Sequence, residues 1–96
     1  MNFADFWKLY LKEHSRPETR WLHTMGTLSA WGIAVTAWVN ASWWCALLVP
    51  VIGYGIAWSS HAFIERNRPL SMRYPIRSFF ADHLLTFRML LFRPLE

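Results

Sequence analysis

Residues 21–64 contain no Lys, Arg, Asp or Glu. All ten basic residues lie outside that block: Lys8, Lys12, Arg16 and Arg20 before it, Arg66, Arg68, Arg73, Arg77, Arg88 and Arg93 after it. The one marked interruption is Asn40, Ala41 and Ser42, a short polar turn between two apolar stretches. A helix needs about 20 predominantly apolar residues to cross a bilayer, and residues 21–39 and 43–62 both come close. Both stretches are apolar all round rather than along one stripe, which is how spanning helices differ from the one-striped helices of a small soluble domain. The expected fold is therefore all-α: an integral membrane helical hairpin with two transmembrane helices, in one domain spanning residues 1–96.

The same charges orient the hairpin. The turn carries none and both flanks are basic, so the positive-inside rule places both termini in the cytoplasm. The host is the inner membrane in a bacterium or the endoplasmic reticulum in a eukaryote. Trp38, Trp43 and Trp44 crowd the turn and Trp21 marks the opposite end, where indole rings favour the water–lipid boundary. The net charge of +4 then reads as topology and headgroup contact, with no nucleic-acid partner. Asp5 and Lys8 among aromatics do not make a signal peptide, and the single Cys45 excludes an intramolecular disulfide.

Outside the spans the pattern changes. Apolar residues at 3, 6, 7, 10 and 11, with Lys8, Lys12 and Glu13 opposite, predict an N-terminal amphipathic helix over 3–13 at the cytoplasmic membrane surface. Ser15, Arg16 and Pro17 break it, and Pro17 can open the next helix. Asn67, Arg68 and Pro69 end the second span. Residues 76–92 predict a C-terminal interfacial helix, because Arg77, Asp82, His83 and Arg88 argue that it lies in the interface or packs on the bundle.

Chain geometry then brings two imidazoles together. At about 1.5 Å rise per residue, His23 lies roughly 27 Å before the turn and His61 roughly 30 Å after it. An antiparallel pair delivers both to one depth, and Glu65, a turn past His61, is expected to point the same way. Gly53, Ala57, His61 and Glu65 form one stripe and His23, Thr27, Ala30 and Ala34 another, so these are the expected helix contact faces. Such stripes are ordinary packing features, and either His alone reads as a hydrogen bond across the pair. Two at matched depth beside a carboxylate read as function, since ionisable groups are costly at membrane depth. His14, returned by the Pro17 break, completes a set of nitrogen and oxygen donors suited to Fe(II), Zn(II) or Mn(II). His83 beside Asp82 is a fourth candidate, or simply the wet face of the last helix.

Two segments carry a resemblance. His14-Ser15-Arg16-Pro17-Glu18-Thr19-Arg20-Trp21-Leu22-His23-Thr24-Met25-Gly26 and Gly55-Ile56-Ala57-Trp58-Ser59-Ser60-His61-Ala62-Phe63-Ile64-Glu65-Arg66-Asn67-Arg68-Pro69 resemble a membrane family once known only as a domain of unknown function. Its fungal member is the endoplasmic-reticulum dioxygenase that shortens 2-hydroxy fatty acids by one carbon, on the route from phytosphingosine to odd-chain fatty acids. The resemblance covers nearly the whole chain and implies Fe(II), with His14, His23 and His61 as its ligands and Glu65 as a shared acidic neighbour. Thr19 stands where many relatives carry Asn, and the chain lacks the additional middle apolar segments of the longer fungal enzyme.

Two functions of different class follow. The first is an Fe(II)-dependent dioxygenase acting on a 2-hydroxy fatty acid or related membrane lipid and O2, with His14, His23, His61 and Glu65 as catalytic residues and Arg66, Arg68 and Arg73 holding the substrate carboxylate. The second is a non-enzymatic membrane module for lipid binding or assembly, in which a metal or His cluster only ties helices together. The small-residue stripes also serve contacts between chains, so a homo-oligomer is expected.

Overall fold

Asn2 opens the first helix by accepting the Asp5 backbone N–H on its side chain at 2.8 Å. This helix, α1 (Phe3–Glu13), begins a computed structural model that describes residues 1–96 and in which every regular element is helical. Its apolar face does not lie open to a membrane surface, as the sequence pattern predicted. Phe6, Tyr10 and Leu11 pack instead with Leu70, Ala81 and Leu85 in the buried core cluster, so α1 is docked on the C-terminal helix. Burial against protein satisfies the same apolar stripe that would otherwise need lipid.

His14 ends α1, and the corner is tied by Arg20, whose Nε donates to the His14 carbonyl at 2.6 Å and whose Nη2 donates to the Leu11 carbonyl at 3.3 Å. A guanidinium on these terminal carbonyls offsets both the unpaired acceptors and the negative end of the helix dipole. Pro17 opens α2 (Pro17–Val39), as its fixed φ and missing N–H favour. The hairpin turn passes through Ala41 in the left-handed region (φ 52°), with Ser42 N–H donating to the Ala37 carbonyl at 2.9 Å.

The second arm is less regular than its composition predicted. It starts as a 3-10 turn over Trp43–Leu47, becomes α3 over Leu48–Ser60, and widens to a π turn over His61–Glu65. Pro50 has no N–H to give the Ala46 carbonyl, which disfavours regular α-helix through the start of this arm. The arms pack closely through glycine. A Cβ on Gly53 would meet Ala30 Cβ at 3.4 Å, and one on Gly26 would meet Ile56 at 3.4 Å and the Gly53 carbonyl at 3.5 Å. A 3-10 turn over Leu70–Met72 leads to α4 (Pro75–Leu90), which packs on α2 and α1.

One continuous helical run, Trp43–Glu65, is long and apolar enough to cross a membrane, with mean hydropathy 1.5. The first arm falls short of that measure, because His23 first, and then Thr24, Thr27, Ser29 and Thr36, dilute its aliphatic residues. Only 17 of 96 residues are buried, while Trp38, Val39, Leu47 and Phe63 are each more than 70% exposed. A contiguous apolar surface of this kind is a surface for contact with something other than water.

Candidate metal centre

The C-terminus of α1, the first turns of α2 and the end of α3 meet at three imidazoles. His14, His23 and His61 are all buried, and their ligand atoms lie within 4.8 Å of one another. His14 Nε2 is 3.1 Å from His23 Nε2 and 2.9 Å from His61 Nε2. Residues 9 and 47 positions from His14 thus face it across a gap no wider than a hydrogen bond.

The other ring nitrogens decide what that gap is for. His14 Nδ1–H donates to the Tyr10 carbonyl at 2.7 Å, and His23 Nδ1–H donates to the Thr19 carbonyl at 3.0 Å. His61 Nδ1 meets Asn67 Oδ1 at 2.6 Å. Carbonyl oxygens only accept, so each Nδ1 carries the proton and each Nε2 presents a lone pair. Three convergent acceptors with no donor among them repel one another unless a cation sits between. Ligands about 2.0–2.1 Å from a common ion are about 3.0 Å apart at right angles and about 3.4 Å apart at the tetrahedral angle, so the spacings of 3.1 and 2.9 Å fit shared ligation. Committing Nδ1–H to a carbonyl is also how proteins fix a metal-binding imidazole. Burial pulls the His14 pKa down to about 2, with the His23 and His61 rings adding to the effect, so this ring stays neutral and able to ligate.

Local sequence explains the convergence. His14 and His23 each bond back to the carbonyl four residues earlier, which fixes both rings against their own helices. Tyr10 stacks on His14 with ring centroids 3.9 Å apart and gives its hydroxyl proton to Asp82 Oδ1 at 2.5 Å. At the end of the second arm, Arg66 adopts the left-handed conformation (φ 60°) and the Asn67 N–H closes on the His61 carbonyl at 3.0 Å. This is a Schellman-type stop built on a non-glycine residue, and it returns the Asn67 side chain to His61.

The structure separates the other sequence candidates. Glu65 does not join the imidazoles: Ser15 Oγ and the Arg16 N–H donate to its two oxygens at 2.9 and 2.8 Å, so it braces the turn after His14. The π turn displaces it from the register that a regular helix would give. Arg66 and Arg68 line a surface cavity of about 570 Å³ with Ala62, Phe63 and Asn67. Arg73 lies apart, 5.4 Å from the centre of the Tyr74 ring. His83 is committed on both nitrogens, donating from Nδ1 to the Phe79 carbonyl at 2.8 Å and accepting from Trp31 Nε1–H at 2.7 Å.

Sequence reasoning missed Asn67 and Ser78. Asn67 joins His61 to α1, since its amide donates to the Glu13 carbonyl at 3.0 Å and to Glu13 Oε2 at 2.6 Å. Ser78 is buried beside the centre, and its hydroxyl makes no hydrogen bond within the chain. Asn67 belongs to a segment singled out by resemblance; nothing in the sequence marked Ser78.

A family model described as "2-hydroxy-palmitic acid dioxygenase Mpo1-like" matches residues 1–94, and the chain belongs to that family. No curated protein and no solved structure matches the chain.

Proposed function

We propose that this family member is an Fe(II)-dependent dioxygenase that converts a 2-hydroxy fatty acid and O2 into the fatty acid one carbon shorter, CO2 and water. One observation carries the reading: three buried Nε2 lone pairs converge while every Nδ1–H is held elsewhere. The family description supplies the substrate class. Three imidazoles suit Fe(II), which His14, His23 and His61 would hold and which would supply the activation of O2 there.

The chain's own residues have separate tasks. His14, His23 and His61 hold the ion as neutral ligands, and Tyr10, Thr19 and Asn67 fix their orientation. Asp82, raised by burial to about 6 and hydrogen-bonded to Tyr10, holds or releases a proton beside the centre near neutral pH. Arg66 and Arg68 give the surface next to Asn67 a positive charge that attracts a fatty-acid carboxylate. Glu65 keeps the His14 turn in place.

The exposed apolar arms support a membrane setting, with both arms in the bilayer and both termini in the cytoplasm: the inner membrane in a bacterium, the endoplasmic reticulum in a eukaryote. The first arm crosses although its hydropathy is lower, because it pairs with the second and shares its length. Gly32 and Gly55, at which an added Cβ would meet nothing within 4 Å, leave small-residue surface on both arms that suits a homo-oligomer in the membrane plane.

The test is metal analysis of anaerobically purified protein, then incubation with 2-hydroxypalmitic acid under air. Bound iron with formation of pentadecanoic acid and CO2 is expected, both lost in His14→Ala, His23→Ala and His61→Ala. Bound zinc with no turnover after iron reconstitution would overturn the enzyme reading and leave a structural tie between helices.

A further inference from the structure

A second space opens beside the imidazoles. A cavity of about 360 Å³ runs between α2, α3 and α4, lined mainly by Thr27, Ala30, Ala34, Val49, Gly53 and Phe79 away from the centre. It shares His23, Tyr54, Ala57 and Asp82 with a narrow space of about 10 Å³ that touches all three histidines. The two therefore lie side by side and share a wall, with a tight polar neck at the centre and a wider apolar chamber beside it. From His23 to Ala34 the chamber follows α2 for about 16 Å at the rise of an α-helix.

The lining fits a ligand with two halves. At the neck, the Ser78 hydroxyl is buried and lacks a partner, as a group reserved for a polar ligand would be. Beyond it, small side chains on both arms leave the room that helix packing does not fill. The size falls within the range of about 300–1,000 Å³ typical of small-molecule sites. Trp31, Tyr54 and Phe79 on its rim are exposed, so the chamber opens sideways between the arms and α4. The Trp31–His83 hydrogen bond latches α2 to α4 at that rim.

We propose that this chamber is the acyl-tail subsite, and that Ala34, Val49 and Pro50 at its far end set the chain length accepted. This rests on the dioxygenase reading for the head group, but the tail subsite itself does not require turnover. An unbranched hydrocarbon chain enters laterally from the bilayer. Its polar head reaches the neck, where Ser78 donates to or accepts from it.

The probe is a long-chain 2-hydroxy fatty acid carrying a terminal diazirine, cross-linked to the full chain in vesicles with and without iron. Adducts on Ala34, Val49 or Pro50 that saturate and are displaced by 2-hydroxypalmitic acid are expected in both states. Ala34→Phe should cut that labelling, and the turnover of long acids relative to 2-hydroxyoctanoic acid, by roughly 10-fold or more with metal content unchanged. Val49→Ala, which removes rather than adds bulk, should move the preference toward longer acids. Undisplaced adducts spread over Leu28, Val35 and Val51, or chain-length preference unchanged in both variants, would overturn the subsite. Specific labelling without turnover would keep the subsite and sink the dioxygenase.

Discussion

Asn67 accepts the His61 Nδ1–H at 2.6 Å while its own amide donates to the end of α1. One side chain thus sets the tautomer of one of the three clustered imidazoles and joins two of the three elements that supply them. Asn67→Ala should weaken metal affinity by about 10- to 100-fold, the usual effect of losing such a support. Asn67→Asp keeps the acceptor but loses the donor and faces Glu13, so it should fall between. Metal titration of the purified variants checks this, and wild-type affinity in Asn67→Ala would show that His61 needs no support.

Glu65 is a brace. Its oxygens take the Ser15 hydroxyl and the Arg16 N–H at the turn that returns His14. Because the group is partly exposed, Glu65→Gln should cost only about 1 kcal/mol of stability. Metal should be retained, at lower affinity. Thermal unfolding beside metal analysis separates the roles: complete loss of metal with unchanged unfolding would make Glu65 a ligand.

Helix content, the hairpin turn and the meeting of His14, His23 and His61 were legible in the sequence, each for a physical reason. Charge-free length marks the arms, the polar turn fixes their pairing, and equal rise on both sides sets one depth. What was illegible depended on departures from regular geometry. The π turn after His61 moves Glu65 out of the predicted stripe, and left-handed Arg66 brings Asn67 in. The docking of α1 on α4 was hidden because an amphipathic stripe reads alike whether it meets lipid or protein. Gly53 and Ala30 come close across the arms, yet both, with Ala57 and Ala34 from the same expected contact faces, also border the cavity.

His83 holds α4 against α2 through Trp31 and has no free ring nitrogen for a metal. His83→Ala should leave metal content within about 2-fold of wild type, well short of a lost support. Loosening the latch should instead alter access to the lateral cavity. Metal analysis with initial rates checks it: a change in the substrate concentration dependence is expected, and metal loss would return His83 to the ligand set.

The orientation of the arms is open to direct labelling. Ala41 lies at the tip of the turn in an exposed, left-handed position. With both flanks basic, a cysteine placed there on a Cys45→Ser background should react with an impermeant maleimide in intact cells or right-side-out vesicles of the host membrane. Reaction only after lysis would reverse the orientation.

Asp82 should make the fold measurably pH-dependent. Burial raises its carboxyl from 3.8 to about 6, although the Tyr10 hydroxyl and His83 pull the other way. The folded chain therefore favours the protonated acid more than the unfolded chain does. The associated stability is fully present below about pH 4, falls as pH rises toward 6, and is absent above. Asp82→Asn has no such titration and keeps an acceptor for Tyr10. The difference in Tm, variant minus wild type, should then rise by several degrees between pH 4 and 6 and stay level above. Metal-free protein is the right sample, because the three imidazoles then titrate alike in both forms and cancel in the difference. A difference that is flat from pH 4 to 7 would mean that water reaches the carboxylate and that Tyr10 holds an ordinary, ionised partner.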